Sequence, residues 1–291
     1  MYKLFLLLSL NLLSLFGDQN IFREIDRIYK LSSFHNISFK IRGDVAPIVI
    51  QKTEDKTIQV AFERYLNNDP EIGIANKDMI FVKSGSLRGV GVLITLFKDS
   101  ENIFPNPKYQ IWLPALRKIR AISNPLDYSG FGVLEKSLLF ETKLRKIDDE
   151  KISIIDEKFL DLSLKKAKFK VGRYSQDIPQ NDEVISKNFY IIEATPKDRE
   201  LWYSKRVSFV EKENLLEYQT LYFGKDGNLI ETIYRDFLEI GDKFISNYRY
   251  SIDHKENIER VIFLPRKSII VNNKKLDNSF WSETTLQKLK R

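Results

Sequence analysis

The chain contains no cysteine. This excludes disulfides, thiolate metal ligands, a cysteine nucleophile and a lipid-modified cysteine behind a leader, so the core must hold the fold unaided. Histidine is almost as scarce: His35 and His254 are the only 2 in 291 residues, and they stand far apart. A histidine metal site or a Ser-His-Asp triad is therefore poorly supplied. Beyond residue 16 no segment approaches the roughly 18 consecutive apolar residues of a membrane-spanning helix. No Pro- or Ser-rich linker, repeat or low-complexity tract divides the chain. The charge excess is modest, 47 basic against 40 acidic side chains for a formal +7. Without a recognition motif, that balance does not point to nucleic acid.

Motifs for phosphate or carboxylate chemistry are missing as well. Gly85, Gly89 and Gly91 in KSGSLRGVG lack Walker spacing and precede a strand-like run, so a turn into a strand is expected there. Asp148-Asp149 and Asp156-Glu157 are sequence neighbours on a charged surface. Nothing in the sequence sets two carboxylates roughly 5 to 9 Å apart around a sugar. His254 falls in a turn-like DHKEN, and His35 at a helix-to-strand junction that suits a hydrogen-bonded structural role. No catalytic residue, metal or cofactor is assigned, and the chain reads as non-enzymatic.

What is present is an apolar and aromatic inventory. Hydrophobic residues make up 43%, enough for a core, with 20 Phe and 13 Tyr against 2 Met. Phe and Tyr spread along a chain favour strands. The start, MYKLFLLLSLNLLSLF followed by Gly17-Asp18, reads as a secretory signal peptide over 1–17, leaving one domain over 18–291. Apolar positions 21, 22, 25, 28 and 29 predict a helix over 20–31 with Asn20 as N-cap. Strands are predicted over 34–41, 57–62, 79–82, 89–97, 108–113, 119–122, 189–195, 205–210, 217–223, 229–237, 244–252 and 260–264. Asp226-Gly227 marks a hairpin. Between 125 and 164 the spacing of Leu134, Leu138, Leu139, Ile152, Ile155, Phe159 and Leu162 predicts one or two short helices. Regular short strands without alternating long helices indicate an antiparallel sheet in an α+β fold. Lysine clusters at 165–170 and 143–146 read either as a solvated face or as attraction to an anionic membrane surface.

Several stretches resemble the LolA-like outer-membrane lipoprotein-sorting proteins. KDMIFVKSGSLRGVGVLITLFKD followed by YQIWLPALRKIRAI is similar to the family's glycine-containing turn and strand, then an aromatic strand running into Leu-Pro and a basic tail. DRIYKLSSFHNISFKIRG resembles its opening helix and first strand. WYSKRVSFVEKENLLEYQTLYFGKDGNLIETIYRDFLEIGDKFI resembles its paired strands around Asp-Gly, and VNNKKLDNSFWSETTLQKL its closing segment. After the basic tail, YSGFGVLEKSL departs from the family's Gly-Ser-Asp-Phe.

The resemblance implies an open, strongly curved antiparallel half-barrel with helices across its concave face and an apolar cavity between. It implies a periplasmic carrier for lipoprotein acyl chains or lipid, with an inner-membrane exporter as a candidate partner, transient contact with membrane surfaces and a monomeric state. Phe81, Val92, Ile94, Leu96, Trp112, Phe189, Ile191, Phe209, Tyr222, Tyr234 and Tyr248 are the expected cavity residues. Lys118 and Arg120 are the expected rim cations for anionic headgroups. The plainer alternative is that Trp112 is ordinary core and the two cations are solvated. A second function class, a non-enzymatic adaptor subunit of an envelope transporter, fits the same fold.

Overall fold

A computed structural model describes residues 20–28, 30–98, 107–122, 147–198 and 201–288. The signal-peptide reading over 1–17 and the helix-like spacing at Leu134, Leu138 and Leu139 lie outside these residues. No described helix is long and apolar enough to cross a membrane.

The described strands are β1 (Asn36–Phe39), β2 (Ile48–Lys52), β3 (Thr57–Asn67), β4 (Ile74–Val82), β5 (Gly91–Phe97), β6 (Lys108–Leu113), β7 (Lys118–Ile122), β8 (Glu150–Leu164), β9 (Glu183–Pro196), β10 (Lys205–Glu211), β11 (Glu217–Phe223), β12 (Leu229–Ile240), β13 (Lys243–Asp253), β14 (Ile258–Phe263) and β15 (Ile269–Val271). They form one 15-stranded antiparallel sheet in the order β7-β6-β5-β4-β3-β2-β14-β13-β12-β11-β10-β9-β8, with β1 joining β3 to β15. The ends, β7 and β8, do not pair with each other, so the sheet is not closed into a barrel. Strand-to-strand connections fall where the sequence supplies turn chemistry. Between β11 and β12, Gly227 adopts φ +80 and the Asp226 carboxylate accepts from the Asn228 N–H at 3.0 Å.

Register carries one face across the sheet. Ile111 opposes Val92 and Val92 opposes Ile80; Phe62 opposes Val82. Val60 opposes Val49, Val49 opposes Ile262, Ile262 opposes Arg249 and Arg249 opposes Arg235. Thr220 opposes Ile233, Ser208 opposes Thr220, Ile192 opposes Ser208 and Ile154 opposes Ile192. Helix α1 (20–28) packs on this face, with Phe22 and Ile25 against Ile192, Val210, Ile152 and Ile154. Downstream of it, Leu31 and Phe34 meet Phe62, Val49 and Ile245. We call this the α1 face.

Two irregular segments coat the opposite face. Residues 165–182 form a strap whose Ala167, Phe169 and Ile178 cover Ile48, Ile50, Tyr248 and Phe263. The C-terminal segment ends in α2 (Glu283–Lys288), and its Trp281 and Leu286 pack on Tyr65, Phe81, Leu93 and Trp112. The fit there is close: a Cβ on Gly91 would lie 2.8 Å from Leu286 Cδ1.

The helix expected across 152–162 is instead the 15-residue strand β8. A β-bulge between Ile154 and Asp156 shifts the phase of its alternation. Ile152 and Ile154 before it, and Leu160, Leu162 and Leu164 after it, are the residues that reach apolar clusters. Ile155 and Phe159, which complete the helical spacing, are 53% and 63% exposed. A set of helices spanning the face is not found among the described residues; α1 covers one part of it.

Candidate binding face

On the α1 face, β4, β5 and β6 present a continuous apolar patch. Val90, Val92, Ile94, Tyr109 and Ile111 are all buried, with Ile80, Val82, Leu87, Leu96, Leu113 and Ile122 packed around them. Every described member belongs to β4–β7 or to the β4–β5 turn. Alternation explains the patch: Val92, Ile94 and Leu96 share one side of β5, and Tyr109, Ile111 and Leu113 share one side of β6. The edge strand β7 finishes it. Tyr109 opposes Ile122, Ile111 opposes Arg120 and Leu113 opposes Lys118. Lys118 and Arg120 are exposed, so cations line the outer margin of buried hydrocarbon.

The polar groups of this patch divide into paired and unpaired. Asp78, opposite Ile94, is fully buried and takes a bidentate guanidinium from Arg64 at 2.8 to 3.1 Å. Tyr109 lies opposite Ile94 on the other side, and burial pushes its hydroxyl up to about 12. That hydroxyl has no hydrogen-bond partner among the described residues.

The same face is charged towards the β8 end. Arg206 Nε and Nη2 donate to the Glu150 carboxylate, each at 2.8 Å, and the Tyr203 hydroxyl donates to it at 2.8 Å. Arg206 also donates to Ser208, which donates to Glu217 at 2.8 Å. Thr220 donates to Glu217, and Arg235 donates to Thr220 at 2.8 Å while lying 3.6 Å from Glu217. Arg206, Arg235, Glu150 and Glu217 are all buried. Desolvation opposes the Arg206 charge, but the attraction of Glu150 prevails and holds it protonated well above the usual range. A void of ≈ 20 Å³, room for about one water, lies between this cluster and α1, lined by Phe22, Ile25, Arg206, Ser208 and Glu217 among others.

The expected cavity residues do not share one surface. Val92 and Ile94 are buried in the patch, and Leu96 is half-buried at its side. Tyr222 is on the α1 face, opposite Arg206, but packs with Tyr203 and Ile233 instead of the patch. Phe81 and Trp112 lie on the other face beneath α2. Ile191, Phe209 and Tyr234 follow one another in register on that other face, and Tyr248 lies under the strap. Phe189 packs with Leu162, Leu164 and Ile28. Pattern reading found the aromatic residues but could not assign their sides, because sides are set by which strands become neighbours. It passed over Tyr109 and Ile111, although both fall in alternation with Leu113.

Neither histidine builds a reactive site. His35 donates its backbone N–H to Asn272 and lies 3.4 Å from the exposed Asp69, while His254 Nε2 is 2.9 Å from Thr232 Oγ1. Among the described residues no group of three or more His, Asp or Glu is placed to hold a metal ion.

A family model described as "uncharacterized protein" matches residues 142–288, half of the chain. No curated protein matches. Solved structures of similar fold span nearly the whole length. A protein of the DUF1329 family from Desulfovibrio piger is 16% identical, with a TM-score of 0.67 over 92% of this chain and 98% of that one. A domain assigned to the outer membrane lipoprotein-sorting proteins from Vibrio parahaemolyticus is 14% identical, with a TM-score of 0.61 over 91% and 97%. A LolA superfamily protein from Nitrosomonas europaea is 12% identical, with a TM-score of 0.56 over 92% and 98%. At these identities the likeness is one of fold.

Proposed function

For a chain that belongs to the family matched over residues 142–288 and has the fold of the LolA superfamily, we propose the function of a periplasmic carrier that shelters acyl chains of lipoproteins or lipid on the way to the outer membrane. The observation that carries the reading is the apolar patch of β4–β6, bordered on β7 by Lys118 and Arg120. Its chemistry matches an amphiphile with hydrocarbon inside and an anionic head at the margin. Exposing an acyl chain of about 15 methylenes to water costs roughly 12 kcal/mol at ~0.8 kcal/mol per group, so transfer between membranes needs an apolar shelter. Release at the destination favours non-directional contact over strong polar pairing, and Val92, Ile94 and Ile111 offer only that. The carrier is non-enzymatic, exported, and meets an exporter and membrane surfaces transiently. The name of the Vibrio parahaemolyticus neighbour, a lipoprotein-sorting domain, agrees with this use of the fold.

Native mass spectrometry of the purified protein, with and without added lipid, tests the reading. Bound acyl species of lipid mass are expected. Complete failure to retain lipid, either from the cell or on addition, would end the carrier proposal.

A second reading has its own observation. β8 ends the described sheet as a 15-residue edge with Ile155 and Phe159 exposed, and Val184 of β9, opposite Ser163, is exposed further along. Such an edge suits pairing with a partner chain, as an adaptor subunit would use it. Recovery of a stable exporter complex that an I155K/F159K variant no longer forms would favour that role.

A further inference from the structure

The carrier reading leaves one atom of the patch unused. Tyr109 is 3% exposed, opposes Ile94 and packs with Val92 and Ile111. Its hydroxyl is the one tyrosine hydroxyl that is buried without a hydrogen-bond partner among the described residues. Other buried tyrosines follow the usual rule. Tyr65 donates to Glu63, Tyr203 to Glu150 and Tyr250 to Glu259, while Tyr248 accepts from the Ala167 N–H. A buried donor left alone is destabilising, and phenylalanine would fill the same space without that penalty.

Resting on the carrier reading, we propose that the Tyr109 hydroxyl donates to the carbonyl oxygen of a bound acyl group, so that this face selects acyl esters over plain hydrocarbon chains. A neutral phenol set in hydrocarbon is a single donor, and it suits a neutral acceptor better than a charged one. An acyl ester supplies such an acceptor at the head of its chain. Position agrees with chemistry. Tyr109 stands one strand in from the edge, opposite Ile122 of β7, on the strand that also carries the exposed Lys118 and Arg120. Arg120, opposite Ile111, is the nearer of the two cations, two positions along β7 from the residue that faces Tyr109.

The test uses the full chain and two probes of equal length, palmitoyl lysophosphatidylglycerol and its hexadecyl ether analogue, which lacks the carbonyl. Affinities are measured by isothermal titration. The wild-type protein should prefer the ester by about five-fold, the worth of one net hydrogen bond. Tyr109→Phe should erase that preference by weakening the ester to the level of the ether, while its own melting temperature holds or rises. Equal binding of both probes by the wild type, or an ester preference that survives in Y109F, would overturn the inference and leave the carrier standing. If neither probe binds, the carrier reading falls and takes this inference with it.

Discussion

Glu150 and Arg206 meet where neither charge is tolerable alone. Both are buried, and the pair is held by two hydrogen bonds of 2.8 Å. Glu150→Ala would strand Arg206 and remove the acceptor of Tyr203, at a cost of about 3–5 kcal/mol. Urea unfolding should show that loss, and the double variant Glu150→Leu, Arg206→Met should recover most of it. Little in the sequence points to this pair, because a lone glutamate in a charged stretch reads as solvated. Arg235 left a fainter trace, since it follows Ile233 in period two and so shares its buried side. Trp112 was legible as a large apolar residue in a strand, but not as a partner of Trp281 and Leu286, which come far later in the chain.

Among the elements, the hairpins were the most legible and β8 the least. Asp226-Gly227 needs no tertiary information, and β11 and β12 meet there as expected. β2 and β15 are too short to leave a pattern that marks them in the sequence. β8 misleads because its bulge turns a period of two into something close to helical spacing. The strap over 165–182 is irregular and shows no periodicity, yet it covers Tyr248 and Phe263. Asp182 fastens it, accepting from the Lys166 N–H at 3.0 Å and from Lys165 Nζ at 2.9 Å. The Lys166 N–H first, then Lys165, hold its carboxyl down to about 2 from 3.8. A depressed carboxylate stabilises the fold above its unfolded pKa and ceases to do so as pH falls through its folded one. Protection of the Lys166 amide against hydrogen exchange should therefore be full above pH 4 and decline as pH falls from there towards 2. In Asp182→Asn that acid-dependent step should vanish.

At the scale of the whole molecule, the α1 face joins two unlike regions. Hydrocarbon occupies β4–β6, and a buried network of ion pairs and hydroxyls occupies β8–β12 beneath α1. The antiparallel sheet and its lack of βαβ winding were legible from turn spacing and alternation alone. The division of the face was not, because it depends on a 13-strand path in which β2, early in the chain, pairs with β14, late in it. Under the carrier proposal, an acyl chain lies on the hydrocarbon region of β4–β6. Photo-crosslinking tests it most directly. The protein is loaded with a lysophospholipid bearing a diazirine in its acyl chain, irradiated, and mapped by peptide mass spectrometry. Labels should concentrate on β5 and β6 around Val92, Ile94 and Ile111. Labelling confined to the opposite face, around Trp112 and α2 or under the strap, would contradict the claim.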